Sequence, residues 1–346
     1  MAGNKNLNAA ARAKKDEFYT QLEDIENELR HYREFFAGKV VLCNCDDPFE
    51  SNFFKYFAAK FNDLELKKLI CTSYADSPIA GLELNLFPDG KTAYMVEVTE
   101  LKDWNGDGGE DLEDVAFAIE HGIYRKQPLT GDLNYCAGDF RSAELVNLLR
   151  QADVVVTNPP FSVFREFVAQ LIAYDKKFLI IGNINSITYK EIFPLIMANK
   201  LWLGYGMGRA ISGFIVPDDY ELYGTEARIK DGQRIVSTNQ CLWYTNIETP
   251  KRYWELDLWK EYSPDEYPRY DNYDAIEVSK TDHIPCDYFG VMGVPITFLD
   301  KYNPEQFELL GCTYSYGDCG CHVAGTDWNA YLNGKRMFKR LFIRRR

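Results

Sequence analysis

Short apolar runs separated by helix-forming stretches are the feature that most limits the folds open to this chain. Residues 39–45 and 66–73 are such runs, and between them Ser51 or Asn52 can cap a helix that extends through Phe61. A run that is apolar at nearly every position predicts a strand with both faces buried. Strand, helix and strand at this spacing form a βαβ unit, so the sequence predicts an α/β fold around a parallel sheet.

The same alternation continues through much of the chain. The pattern predicts helices at 20–37, 142–151 and 164–174 and strands at 153–157 and 177–182. Turn residues at 88–91 predict a hairpin between 82–87 and 92–98, which precedes an acidic stretch at 97–114. From about residue 206, aromatic residues, Pro and isolated Gly replace the alternation. We therefore predict an α/β domain at 1–205, with an insertion at about 78–130, and a second region at 206–346.

One motif combines the right position with a specific chemistry. Asn158-Pro159-Pro160-Phe161 directly follows the apolar strand 153–157, which puts it at the carboxyl edge of the sheet, where open α/β sheets bind ligands. An Asn side-chain oxygen and a Pro carbonyl can each accept one N–H of an amine on a planar ring, and Phe offers a stacking face. Such acceptors favour a pyramidal, reacting nitrogen over the planar ground state. The alternative is a Pro-rich turn that only caps a helix.

Several further segments, taken with this motif, resemble the EcoRI-type adenine-specific DNA methyltransferases. They are Asp-Glu-Phe-Tyr-Thr-Gln-Leu at 16–22, Cys-Asn-Cys-Asp-Asp-Pro-Phe-Glu-Ser-Asn-Phe-Phe-Lys-Tyr-Phe at 43–57, Gly-Asp-Phe at 138–140 and Gly-Val-Pro-Ile-Thr-Phe-Leu-Asp-Lys-Tyr-Asn-Pro-Glu-Gln-Phe at 293–307. The short segments are weakly specific alone. The two long ones, in this order, make the resemblance specific and spread it over nearly the whole chain.

The resemblance implies a Rossmann-like, S-adenosylmethionine-dependent methyltransferase with a mostly parallel, doubly wound sheet and a C-terminal recognition region. It implies transfer of a methyl group to the exocyclic N6 of an adenine flipped out of duplex DNA at a specific site. The implied catalytic residues are Asn158, Pro159, Pro160 and Phe161. The implied cofactor-binding residues are Phe18, Tyr19, Thr20, Asp47, Pro48, Phe49, Asp139 and Phe140. No metal ion is implied.

The resemblance also suggests what each cofactor segment does. Residues 18–20 would close over the methionine part of the cofactor, Asp47 would hold its amino group, and Asp139 would accept from the amine of its adenine ring. The chain departs from similar enzymes in two places. It lacks Gly-x-Gly after the first strand, and no acid follows the second strand before Asp76, so either Asp76 or hydroxyl groups take the ribose.

The charge balance limits how nucleic acid can bind. Lys and Arg number 39 against 52 Asp and Glu, a net charge of −13, which disfavours phosphate binding over the whole surface. Cations gather at residues 5–15 and 335–346, and for the latter we expect phosphate contact in preference to a merely solubilising end. Two alternatives to DNA adenine methylation remain. The protein could methylate RNA adenine or a glutamine amide, or it could bind DNA without turnover.

Two other segments resemble metal sites, and for both we prefer the simpler interpretation. Residues 103–114 resemble a calcium loop, but a solvated acidic turn that caps a following helix fits better. The spacing of Cys312, Cys319, Cys321 and His322 matches no common zinc site. Nine cysteines, a polar N-terminal stretch and no run of about 18 apolar residues predict free thiols in a cytoplasmic protein without a membrane span, for which we favour a monomer.

Overall fold

The computed structural model describes residues 19–45, 47, 51–74, 93–207, 211–216, 227–230, 232–236, 240–313 and 320–346. Contacts divide the chain into two compact units. The first unit is Met1–Gly182 with Gly208–Ile247, and the second unit is Asn183–Met207 with Glu248–Arg346. These units differ from the predicted division at residue 205, so the assignment of separate functions to 1–205 and 206–346 stays a prediction.

Helices occur at each predicted position, although the one predicted over 20–37 changes from α to 3₁₀ after Leu29, and Phe193–Met197 is a helix that was not predicted. The α-helices are α1 (Leu22–Leu29), α2 (Asn52–Ala59), α3 (Leu112–Glu120), α4 (Ala143–Gln151), α5 (Phe164–Ala173) and α6 (Phe193–Met197). Short 3₁₀ helices are Arg30–Phe36, Phe161–Val163, Ile184–Thr188, Pro250–Tyr253, Thr281–His283 and Ile296–Lys301. Side chains define two of the starts, because Ser51 Oγ accepts from Phe53 N at 3.1 Å and Ser142 Oγ accepts from Leu145 N at 3.3 Å.

The strands are short, and those at the centre of the first unit are buried on both faces. They are β1 (Tyr19–Thr20), β2 (Val40–Asn44), β3 (Lys68–Thr72), β4 (Tyr94–Val98), β5 (Arg125–Pro128), β6 (Val154–Thr157), β7 (Lys177–Asn183), β8 (Trp202–Leu203), β9 (Phe214–Val216), β10 (Ala227–Lys230), β11 (Gln233–Val236), β12 (Cys241–Thr245), β13 (Ile276–Glu277), β14 (Met292–Pro295), β15 (Phe307–Cys312), β16 (Tyr331–Leu332), β17 (Lys335–Arg336) and β18 (Arg340–Arg345).

The main sheet of the first unit has the strand order β5-β4-β3-β2-β6-β7-β12. Strands β3, β2, β6 and β7 are parallel, which confirms the predicted βαβ unit, whereas β4 and β5 join antiparallel. The segment predicted as an insertion at about 78–130 thus supplies β4 and β5 to the sheet. The predicted hairpin lies partly at 75–92, outside the described residues. A smaller antiparallel sheet of the first unit has the order β1-β9-β11-β10.

The second unit is built around a sheet with the order β13-β14-β18-β15. Its interior strand β18 is the basic C-terminal segment, and Leu341, Phe342 and Ile343 are fully buried. Among its cations, Arg340 pairs with Glu277 and Arg344 with Glu308. Arg340 is itself buried, so the expectation of phosphate contact is wrong for that residue, whereas for the exposed Arg344 it stays a prediction. Their partners are distant in sequence, and only the folded sheet brings the charges together.

Candidate active site

The Asn-Pro-Pro-Phe motif directly follows β6, as the sequence predicts. Strand residues Val154–Thr157 are buried throughout. Asn158 and Pro159 are also buried, whereas Pro160 and Phe161 are half-buried, and a short 3₁₀ turn then leads into α5. The motif therefore lies at the carboxyl edge of the parallel strands, and its aromatic ring keeps an accessible surface.

A row of buried polar side chains crosses the same edge of the sheet. Asn44 at the end of β2 is in register with Thr72 at the end of β3, and Thr157 Oγ1 at the end of β6 donates to Asn44 O at 3.4 Å. All three residues, called here the polar row, are at most 1% exposed. Asn44 Oδ1 and Thr72 Oγ1 have no hydrogen-bond partner among the residues that the structure describes. Because an unpartnered buried oxygen costs about 1–3 kcal/mol, the polar row indicates a binding site for a polar ligand.

The predicted N-terminal cofactor segment contacts the start of α2 and pairs with the strand whose Phe214 approaches Phe161. Tyr19 and Thr20 form β1, in which Thr20 is in register with Phe214 of β9. The Phe214 ring lies 6.1 Å from the ring of Phe161, centroid to centroid. Asn52 Nδ2, at the start of α2, donates to Thr20 O at 2.8 Å. The Thr20 hydroxyl is buried and, within the described ranges, has no hydrogen-bond partner.

Asp47, predicted to bind the cofactor, lies just after β2 and is 8% exposed. Its Oδ1 accepts from the Tyr94 hydroxyl at 2.9 Å. Lys126 Nζ lies 4.9 Å from the centre of the Tyr94 ring. Burial lowers the pKa of Lys126, and the charge of Asp47 opposes that shift. Three predicted residues lie outside the described residues: Phe18, Pro48 and Phe49. Their roles stay predictions.

The Gly-Asp-Phe segment packs between the end of β3 and α5. Gly138 has φ +83°, and a β-carbon there would overlap the carbonyl oxygen of Ser73, so only Gly fits this close approach. Phe140 is buried, with its ring centre 5.0 Å from that of Phe167 on α5. The segment thereby joins the second strand of the βαβ unit to the helix that follows the catalytic motif.

Asp139 is paired within its own segment. It is 7% exposed, and its carboxylate accepts from Arg141 Nε at 2.9 Å and from Arg141 Nη2 at 2.7 Å. The hydrogen bond and charge of Asp139 raise the pKa of Arg141. The plane of the Asp139 carboxylate is therefore fixed by a bidentate partner.

Sequence reasoning missed several residues that complete the site. Asn44 and Thr72 are the polar residues that end two apolar runs, and that change of polarity could have indicated them. No local signal pointed to Tyr94 or Arg141. Cys45 has φ 130°, in a region that favours glycine, and it lies directly after β2. The backbone thus adopts a glycine-like conformation at the place where the predicted Gly-x-Gly is missing.

The acidic loop before α3 caps that helix, as the preferred interpretation expects. Asp111 is the N-cap residue, and Asp114 forms a capping box with it. Asp103, Asp107 and Asp114 offer carboxylate oxygens within 4.8 Å of one another. Their oxygens nevertheless accept backbone N–H groups of the loop, including those of Trp104 and Gly106. These bonds hold the loop in the conformation that caps the helix.

The cysteines and the hydropathy of the helices bear on the remaining expectations. The free cysteines are Cys43, Cys45, Cys71, Cys136, Cys241, Cys286 and Cys312. Cys321 is disulfide-bonded, so the prediction of free thiols is wrong for that residue. Among the helices of the described residues, none is long and apolar enough to cross a membrane. The monomeric state and the cytoplasmic location stay predictions.

Comparisons with known proteins identify the family to which the chain belongs. The sequence model of the family described as "Adenine-specific methyltransferase EcoRI" matches residues 6–346. The chain is 53% identical over 315 residues to Type II methyltransferase M.EcoRI of Escherichia coli, covering 89% of each chain. It is 37% identical over 355 residues to Type II methyltransferase M.MpnI of Mycoplasma pneumoniae and 35% identical over 352 residues to Type II methyltransferase M.MgeORF184P of Mycoplasma genitalium, covering 98% of each chain in both cases. No solved structure matches the chain. The chain belongs to the EcoRI family of adenine-specific methyltransferases.

Proposed function

We propose that this protein transfers a methyl group from S-adenosylmethionine to the exocyclic N6 of an adenine flipped out of duplex DNA at a specific site. The observation that carries the proposal is the position of residues 158–161 at the carboxyl end of β6, beside the polar row. Membership of the family supports the reaction and adenine as its target. The Type II names of the relatives support DNA as the substrate and a modification role beside a restriction nuclease.

The unpartnered hydrogen-bond acceptors of the site fit the proposed cofactor. Asn44 Oδ1, Thr72 Oγ1 and Thr20 Oγ1 are buried acceptors without partners in the described part of the chain, and a ligand rich in hydroxyl and ammonium donors would satisfy them. Thr72 suits the ribose hydroxyls in place of the acid that similar enzymes carry after the second strand. Asp47 suits the ammonium group, and Asp139 the amine of the adenine ring. When bound, the cofactor supplies a methyl group on a sulfonium, which is a good leaving group.

The protein must then position the amine and stabilise the charge that develops on it. Asn158 Oδ1 and the carbonyl oxygen of Pro159 would each accept one hydrogen of the N6 amine. Two acceptors on one nitrogen favour its pyramidal form, in which the lone pair is free to react. The proline rings fix the backbone of these acceptors at little entropic cost. No nucleophilic side chain is required by this chemistry.

Phe161 provides the surface against which the flipped adenine would stack. Its half-exposed ring rests near Phe214, which is 1% exposed and held in register by Thr20. When a base leaves the duplex, roughly a few kcal/mol of stacking and pairing free energy are lost. Stacking against an aromatic ring of the protein offsets part of that loss. Thr20 belongs to a predicted cofactor segment. The strand pair of β1 and β9 would therefore hold both the cofactor segment and the ring that lies near Phe161.

Substitution of Asn158 by Ala tests the proposal. We expect turnover on duplex DNA to fall by about 10²-fold or more, because one acceptor of the reacting amine is lost. Binding of S-adenosylhomocysteine, measured by calorimetry, should stay within about twofold of wild type, since Asn158 is assigned to the amine. Asn147→Ala, the same change on the exposed face of α4, is the control and should alter neither quantity. Full turnover by Asn158→Ala would contradict the assignment.

The substrate is tested separately with a radiolabelled methyl donor. Duplex DNA, single-stranded RNA and protein extracts are offered to the wild-type chain, and we expect label on duplex DNA. Label on RNA or protein instead would favour methylation of RNA adenine or a glutamine amide, and no label on any of them would favour a DNA-binding protein without turnover. Sequencing of methylated bases in DNA from cells that express the chain then gives the base and its recognition sequence together.

A further inference from the structure

Arg141 links the predicted cofactor residue Asp139 to α5, the helix that follows residues 158–161. Its Nε and Nη2 donate to the two oxygens of Asp139, and its backbone N–H donates to Asp139 Oδ1 at 2.9 Å. Its Nη1 donates to Glu166 Oε2 on α5 at 2.9 Å. The guanidinium also lies over the rings of Tyr135 and Phe140, at 4.7 Å and 5.2 Å from their centres. Carboxylates and rings therefore fix both the position and the plane of this cation.

The geometry decides how Asp139 can serve a ligand. Within the described residues, every hydrogen bond that the Asp139 carboxylate accepts comes from Arg141. A fork-like bidentate pair fixes the carboxylate plane, and because Oδ1 also accepts the backbone N–H of Arg141, the lone pair left for a ligand is on Oδ2. The Asp139 side chain is 8% exposed, against 33% for that of Arg141. Without Arg141, this buried carboxylate would lose its only described charge partner and the constraint on its rotation.

We infer that Arg141 is a positioning residue, which orients Asp139 to accept from the 6-amino group of the cofactor's adenine ring. The inference rests on the proposed function, because it assigns the ligand of Asp139 within that site. It adds that discrimination for adenine depends on Arg141, although Arg141 itself does not touch the ring's amine. The hydrogen bond to Glu166 also holds the guanidinium in place from α5. Because the Glu166 side chain is 62% exposed, this bond contributes less than the pair with Asp139.

The test compares two ligands that differ at the 6 position of the purine ring and, as a consequence, in the proton on the adjacent N1. S-Adenosylhomocysteine carries the 6-amino group, whereas S-inosylhomocysteine has a carbonyl oxygen there and would face the Asp139 carboxylate with an acceptor. We expect wild-type protein to prefer the adenosyl ligand by about 10²-fold or more in calorimetry, since a site built for an N–H donor rejects the analogue that lacks it. In Arg141→Ala the preference should fall about tenfold, because Asp139 is no longer held in one orientation.

A merely structural role would lower the affinity for both ligands equally and leave their ratio unchanged, and that result would overturn the inference. Arg141→Lys keeps the charge but lacks the fork, so we expect an intermediate ratio. It also serves as the variant to measure if Arg141→Ala does not fold. Arg150→Ala, an exposed Arg on α4, is the matched control, with an expected ratio within about twofold of wild type.

The outcomes also separate this inference from the proposed function. If wild-type protein bound the two ligands with equal affinity, Asp139 would not have the role assigned to it, and the inference would be overturned. Loss of DNA methylation in Asn158→Ala would still support the proposed reaction. Binding of neither ligand would contradict both the cofactor assignment and the inference. A preference that persists at full strength in both Arg141→Ala and Arg141→Lys would overturn the inference alone.

Discussion

Two groups of buried polar side chains, one in each unit, differ in how their hydrogen bonds are satisfied. In the second unit, Glu277 accepts from Arg340 at 2.7–3.2 Å and from the Tyr270 hydroxyl, so the three side chains complete one another's hydrogen bonds. In the first unit, Asn44 Oδ1 and Thr72 Oγ1 are equally buried but have no partner in the described ranges. A cluster that closes on itself stabilises a fold, whereas unpartnered acceptors lower stability and remain available to a ligand. The comparison distinguishes a structural from a ligand-binding use of buried polarity.

The largest effect is expected from breaking the closed cluster. Arg340→Met should lower the free energy of unfolding by about 3–5 kcal/mol, because Glu277 would be left buried without its cation. Urea denaturation measures the loss. Arg344→Met, on the same strand but in an exposed pair with Glu308, should cost less than about 1 kcal/mol. Equal losses in the two variants would mean that the buried cluster does not have the structural role assigned to it.

An intermediate effect is expected from a substitution in the polar row, and it should lower ligand affinity and not the stability of the fold. Thr72→Val removes an unpartnered hydroxyl, so the free energy of unfolding should stay the same or rise by up to about 1 kcal/mol. Affinity for S-adenosylhomocysteine should fall about 3- to 10-fold, the equivalent of one hydrogen bond. Calorimetry and urea denaturation of the same sample give both quantities.

Thr245→Val is the matched control for that substitution. The Thr245 hydroxyl is fully buried in the same sheet, donates to Phe178 O at 2.7 Å and accepts from Ile247 N at 3.0 Å. Its removal should therefore destabilise the fold by about 1–3 kcal/mol and leave affinity for the ligand unchanged. A loss of stability in Thr72→Val as large as that in Thr245→Val would contradict the distinction between the two hydroxyls.

The smallest effect is expected at the backbone beside the polar row. Cys45→Gly should raise the free energy of unfolding by up to about 1 kcal/mol, since Gly adopts φ 130° without the steric cost that a β-carbon adds. Cys43→Gly, two residues earlier in the buried strand, should have the opposite sign, because Gly there loses packing and gains chain entropy on unfolding. Thermal denaturation of both variants checks the signs. A loss of stability in Cys45→Gly would show that Cys45 contributes more by its side-chain contacts than it costs in strain.

The sequence predicted the elements whose signals are local. Helices α2 and α4 begin after the capping residues Ser51 and Ser142, and the apolar runs became β2, β3, β6 and β7 at nearly the predicted bounds. Elements fixed by distant partners were not recognised. The apolar residues within the basic segment 335–346 indicate a strand or helix that packs, but they do not show that it lies inside a sheet, because Arg340 finds Glu277 only once the sheet has formed.

The candidate site divides in the same way. Residues 158–161 were predictable, because a strand, a short motif and a helix follow one another in sequence and indicate the carboxyl edge of a sheet. Asp139 was predicted as a site residue, but the bidentate pair with Arg141 was not, since ion-pair geometry depends on side-chain packing. The bond between Asp47 and Tyr94 was equally inaccessible, because the two residues lie 47 positions apart and no sequence pattern joins them.

The sequence by itself determined which chemistry this protein can perform, through a polar and aromatic motif directly after a buried strand. It also determined the α/β class, because hydrophobic periodicity is a local property of the chain. Only the tertiary structure decided which oxygens stand together, since the parallel register that aligns Asn44 with Thr72 is set by hydrogen bonds between strands. It also decided which charges are neutralised within the protein. Whether a buried polar group stabilises the fold or binds a ligand depends on which groups lie near it in space. The order of residues in the sequence does not show which groups these are.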